Sequence, residues 1–109
     1  MEPQDPSSEA GPVFVLLPEE IDVANCERVG GDLCAAVRPG VTVVIADGSR
    51  TTFCDSSGMQ QLLHAREHAA ANSAELRLVC PSERVARTVR LLGIESVLRI
   101  YPDFGAALS

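Results

Sequence analysis

The chain has 109 residues, of which 46% are hydrophobic and 4% aromatic, with no Trp. That supports one domain with one modest core built from Val, Leu, Ile and Ala. The formal net charge is −6 and the nine basic residues are scattered, which argues against direct nucleic-acid binding.

No run approaches the roughly 18 apolar residues of a membrane span. The opening stretch, MEPQDPSSEAGP, lacks the basic and apolar regions of a signal peptide, so the expected compartment is the cytoplasm, with no membrane partner. Cys26, Cys34, Cys54 and Cys80 show no C-x-x-C spacing. They read as small buried residues rather than a disulfide framework or zinc knuckle.

Residues 1–12, rich in Pro, Ser, Glu and Gly, read as a flexible tail before a domain over 13–109. VFVLL at 13–17 is an apolar strand stopped by Pro18. A helix is expected from about Val23 to Val37, with Asp22 as N-cap and Val23, Cys26, Val29, Leu33 and Val37 at helical spacing. Gly30 and Gly31 weaken it, and Pro39-Gly40 ends it. VTVVIA at 41–46 is β-branched and apolar throughout, the pattern of a strand buried on both faces in a parallel sheet.

A second helix follows over about Ser57 to Ala71, its buried stripe expected at Met59, Leu62, Leu63, the stem of Arg66, and Ala70. AELRLVC at 74–80 is a strand with Leu76 and Leu78 alternating. In PSERVARTVRLLG, Ser82 caps a third helix, Val85, Val89 and Leu92 face inward, and Gly93 terminates it. Arg84, Arg87 and Arg90 form a stripe read as a solvated face. VLRIY at 97–101 is a last strand, and PDFGAALS a short closing helix.

Alternation of strands and helices at this spacing implies an α/β layer fold with a largely parallel sheet and right-handed crossovers. Functional surfaces in such sheets lie at the carboxyl ends of the strands. Asp55-Ser56-Ser57 sits on the connection leaving the 41–46 strand, near such an end.

The stretch VTVVIADGSRTTFCDSSGMQQLL resembles the central signature of STAS domains, the fold of bacterial anti-sigma-factor antagonists. Asp47, Phe53, Asp55, Ser56, Ser57 and Gly58 carry the likeness, with EEID at 19–22 and VARTVRLLGIESVLRIYPD supporting it. Gln60 stands where many members have Gly, Glu19 replaces a common Gly, and the first strand of a family hairpin is absent or lies within residues 1–12.

The resemblance implies an α/β STAS fold: a largely parallel sheet of four to five strands, about four helices, and the first strand at the edge. It also implies a partner switch without enzymatic activity, with Ser56 as phosphoacceptor. The unphosphorylated protein would bind an anti-sigma factor that is itself a serine kinase, freeing the sigma factor. Phosphorylation would end binding, and a PP2C-type phosphatase would reset it. Asp22, Asp55, Ser56, Ser57, Gly58 and Met59 are the expected partner-contact residues. Asp22 also reads as a cap, Met59 equally as core, and Ser57 is the rival acceptor. The competing reading is a non-switching STAS subunit of a larger complex, such as a stressosome-type scaffold or a lipid-transport ABC complex.

HAREH at 64–68 satisfies H-x-x-E-H, a pattern in which His64 and His68 share a helix face. A zinc enzyme also needs a third ligand and a cleft, and such short matches arise by chance in an Ala-rich helix. Glu67 and His68 read as solvated surface. No phosphate-cradling, dinucleotide or nucleophile-elbow motif is present, and no cofactor is expected.

Overall fold

The computed structural model describes residues 11–109, so the expected tail lies outside the described residues save for Gly11 and Pro12. The β-branched run forms a central strand, β3 (Val43–Asp47), in which Val44, Ile45 and Ala46 are all fully buried. It is flanked by β1 (Val13–Leu16) and β5 (Glu75–Val79), with β6 (Ile100–Tyr101) beyond β5. Among the described residues, the order is β1-β3-β5-β6 and every pairing is parallel, with β1 at the edge as expected.

Helices α1 (Cys26–Ala35), α2 (Ser56–Ala71) and α3 (Glu83–Leu91) close the main core with Val44, Ala46, Leu76 and Leu78. Among the described residues, the other sheet face carries only α4 (Phe104–Leu108), which seats Ala107 against Ile45 and Val79. Among the described residues, no helix is long and apolar enough to cross a membrane.

Several boundaries move for identifiable reasons. The first helix begins at Cys26, not Val23, and Asn25 rather than Asp22 occupies its N-cap position. Residues 22–25 instead form a turn held by two short polar side chains. The Asp22 carboxylate accepts from the Ala24 N–H at 2.9 Å, and Asn25 Oδ1 accepts from the Asp22 N–H at 3.0 Å. Val23 therefore lies outside the helix and is 78% exposed. Gly30 sits where α1 crosses α2, since an added Cβ would collide with Gln61 Oε1.

The buried stripe of α2 is Met59, Leu62, Ala65 and Ala69, correcting Arg66 and Ala70. Small Ala side chains let this helix lie close to both α1 and β5. At the end of α3, Gly93 adopts φ 69°, and the Gly93 and Ile94 amides donate to the Arg90 and Val89 carbonyls at 3.0 and 3.2 Å. This reversal packs Ile94 against the core and leaves Leu92 exposed, contrary to its expected inward placement. The last strand shrinks to two residues because Leu98 is drawn into the core from a turn, its N–H donating to the Ile94 carbonyl at 2.8 Å.

Candidate functional site

A second, two-stranded parallel sheet builds the site. Strand β2 (Glu20–Ile21) pairs with β4 (Phe53–Cys54), Glu20 opposite Phe53 and Ile21 opposite Cys54. The Thr52 N–H donates to the Glu19 carbonyl at 2.8 Å, and the Asp55 N–H to the Ile21 carbonyl at 3.1 Å. Buried Thr51 locks the same junction, its hydroxyl donating to the Pro18 carbonyl at 2.7 Å. Continuing this register sets the Asp22–Val23 turn beside Asp55 and Ser56, although 33 residues separate each pair.

Sequence reasoning missed β2, β4 and the role of Thr51. The only local signal is the β-branched pair Thr51-Thr52 leading into Phe53-Cys54.

Asp55 is the N-cap of α2, in extended conformation, and its backbone carbonyl accepts the first helical bond from the Met59 N–H at 2.9 Å. Its Oδ1 accepts from the Gly58 N–H at 2.9 Å and from the Ser57 hydroxyl at 2.6 Å. The Ser57 hydroxyl and the Gly58 N–H hold the Asp55 carboxyl below its ordinary range, because both donate to the ionised form. Ser56, the first helical residue, is exposed, while Ser57 is half-buried and tied to Asp55.

Below this turn the packing is tight. A Cβ at Gly58 would lie 2.6 Å from Cys54 Sγ and 2.7 Å from Ile21 Cγ2. Burial pushes the Cys54 thiol up to about 12, with the Asp55 charge and then the other two buried thiols, Cys80 and Cys26, adding to it. All four cysteines are free thiols, three of them buried and Cys34 half-buried.

Of the six residues expected on the contact surface, Ser56 is exposed, and Asp22, Asp55 and Ser57 are half-buried around it. Gly58 and Met59 are buried, Met59 to 1% exposure, the core placement that the sequence left open beside an exposed one. Its helical position points it into the core beneath the turn.

Arg84, Arg87 and Arg90 form an exposed stripe. Arg90 pairs with Glu83 at 2.6 Å, while the Arg84 guanidinium lies 5.3 Å from the centre of the Phe53 ring. His64 and His68 are both exposed on α2, and among the described residues no three His, Cys, Asp or Glu side chains gather as metal ligands.

Several solved structures share this architecture. An anti-sigma factor antagonist from Mycobacterium paratuberculosis superposes with a TM-score of 0.78 at 22% identity, over 90% of this chain and 83% of that one. A sulfate transporter family protein from Wolinella succinogenes gives 0.77 at 20% identity, over 96% and 93%. The anti-sigma factor antagonist SpoIIAA in its unphosphorylated form gives 0.70 at 24% identity, over 88% and 84%. Comparison with curated protein sequences gives no match. The family model for the STAS domain matches residues 7–107, and the chain, with its parallel sheet and Asp-capped α2, belongs to the STAS domain family.

Proposed function

We propose that this STAS domain is an anti-sigma-factor antagonist whose binding is switched by phosphorylation of Ser56. It acts as a binding module and kinase substrate rather than an enzyme. The observation that carries the reading is the division of labour between the adjacent serines. Ser57 spends its hydroxyl on Asp55, while Ser56 presents its side chain to solvent at the first position of α2.

A phosphate there would add about −1.5 to −2 charge and three acceptor oxygens. The N-terminus of α2 favours negative charge, so the fold tolerates the group. The neighbouring Asp55 and the Asp22 turn are already acidic, and a partner surface fitted to a neutral hydroxyl would meet repulsion and an unpaired charge. A loss of about 3 kcal/mol at the interface lowers affinity more than a hundredfold. The switch therefore needs no large conformational change.

On this reading the partner is an anti-sigma factor with serine kinase activity, and a PP2C-type phosphatase resets the protein. The likeness to two anti-sigma factor antagonists, one in its unphosphorylated form, supports it. The likeness to a sulfate transporter family protein shows the same fold outside such antagonists, and the competing reading is a non-switching subunit of a larger complex.

The test is intact-mass analysis after incubation with ATP and the anti-sigma kinases of the same cell, beside Ser56→Ala and Ser57→Ala. One phosphate gained by the wild type and Ser57→Ala, and lost in Ser56→Ala, is the expected result. No phosphate from any kinase would transfer the assignment to the non-switching reading.

A further inference from the structure

Helix α2 carries a pair of side chains that the switch leaves unused. His64 and His68 stand one helical turn apart on the same face, with Cβ atoms about 5–6 Å from each other. The buried stripe of Met59, Leu62, Ala65 and Ala69 makes that face the outer one, and both histidines are exposed. Helical rotation sets Gln60, Glu67 and Ala71 beside them, all exposed as well. Ala71 is too small to crowd the space above the two rings.

The surroundings suit a cation. The ion pairs among the described residues are made by Arg50, Arg77 and Arg90, which leaves both imidazoles available as ligands. Asn72 Nδ2 donates to the His68 carbonyl at 2.8 Å and so holds the last turn of the helix in place. His68 lies in that turn, where the negative end of the helix dipole favours positive charge. Glu67 brings a carboxylate to the same face. Arg66 is half-buried and about 200° around the helix from His64, so its charge is turned away.

We propose that His64 and His68 chelate a divalent transition-metal ion through one nitrogen of each ring, with water completing the shell. Imidazole selects Zn²⁺, Ni²⁺ and Cu²⁺ over Mg²⁺ and Ca²⁺, and Cu²⁺ binds most tightly of these. Two protein ligands are one short of a catalytic zinc centre, so the site clamps α2 rather than activating water. The ion joins successive turns of the helix that begins at Ser56 and stabilises the folded chain by mass action. Ser56 lies ~12 Å away along the helix, and the site does not depend on the phosphorylation reading.

A structural zinc site uses four ligands. With two, held ready on one helix, the Kd for Zn²⁺ is on the order of 10–100 μM. Isothermal titration of the full chain with Zn²⁺ in a non-coordinating buffer reads it directly. Mg²⁺ at about 5 mM suppresses loose attraction to the acidic surface. The expected result is one Zn²⁺ per chain. His64→Gln and His68→Gln, both at exposed positions, each raise Kd at least about tenfold. Cys34→Ser leaves it unchanged, which separates imidazole from thiolate ligation.

Circular dichroism checks that each variant folds. Zn²⁺ at ten times Kd should raise the wild-type Tm by roughly 3–10 °C, and His64→Gln should remove that rise. Wild-type amide shifts provide a measurement free of any substitution. They should move around His64 and His68 and stay constant at Cys34. A wild type that binds no Zn²⁺ up to about 1 mM, binding indifferent to both histidine substitutions, or binding lost in Cys34→Ser would each overturn the proposal.

Discussion

Gly58→Ala tests the packing that holds Ser56 at the start of α2. The helical backbone at Gly58 suits any residue, so helix propensity alone makes Ala the better choice by about 1 kcal/mol. Packing points the other way. The new methyl would sit 2.6 Å from Cys54 Sγ and 2.7 Å from Ile21 Cγ2, about 1 Å inside ordinary contact distance. Neither neighbour can retreat easily, because both are buried on β2 and β4, which hydrogen-bond to each other.

Overpacking of this kind costs typically 1–3 kcal/mol, leaving a net loss of up to about 2 kcal/mol after the propensity gain. For a domain of this size that corresponds to a fall in Tm of up to roughly 15 °C. Urea and thermal unfolding followed by far-UV circular dichroism suit a chain without Trp. Gly31→Ala is the control, since it lies exposed on α1 with no atom within 4 Å of the Cβ it would gain, and should gain about 0.5–1 kcal/mol of stability. Adding Cys54→Ala to Gly58→Ala removes the sulfur from the clash and should recover part of the loss as a coupling of roughly 1 kcal/mol. A Gly58→Ala protein as stable as Gly31→Ala would refute the close approach of α2 to β2 and β4.

Two further expectations follow from the ionisable groups at the same junction. In the native protein, half-buried Cys34 should be alkylated well before Cys54, whose thiol is pushed up to about 12 by burial beside Asp55. The raised folded value means the Cys54 contribution is fully present below about pH 9 and is lost as pH rises towards about 12. Mass-resolved alkylation with Cys54 reacting first, or a Cys54→Ala protein with the same alkaline decline as the wild type, would contradict this. Asp55 has the opposite sign, because its carboxyl is depressed by Ser57 and Gly58. The stability gap between wild type and Asp55→Ala should be level above about pH 5 and close as acid protonates the folded carboxylate. A gap unchanged down to about pH 2 would show that the capping bonds do not depend on the charge.

Much of this molecule is legible one segment at a time. The run Val44-Ile45-Ala46 announces a strand buried on both sides, Asp55 and Ser82 cap the helices that follow them, and Gly93 closes α3 with its left-handed turn. These signals are local: a cap, a helical stripe or a Schellman turn is satisfied by atoms within a few residues of one another. The same locality explains why Asp22 misleads. In isolation its carboxylate suits a helix cap, but the pairing of β2 with β4 and the competing side chain of Asn25 make it the start of a turn.

The site itself required contacts across long stretches of chain. Which serine is free depends on a 2.6 Å bond within the turn. Where that serine stands depends on Thr51 reaching Pro18 and on β4 meeting β2, both 33 residues away. Gly58 reads as one residue of the Asp-Ser-Ser-Gly signature until Ile21 and Cys54 close in beneath it. Met59 fits core and surface equally until the rotation of α2 buries it, and Phe14 and Leu16 look like ordinary strand residues until the uncovered sheet face leaves them in solvent. Hydrophobic period and capping chemistry thus determined the elements and their order. The rotation of each helix, the short second sheet and the exposure of individual side chains were decided by packing between segments, which no local pattern records.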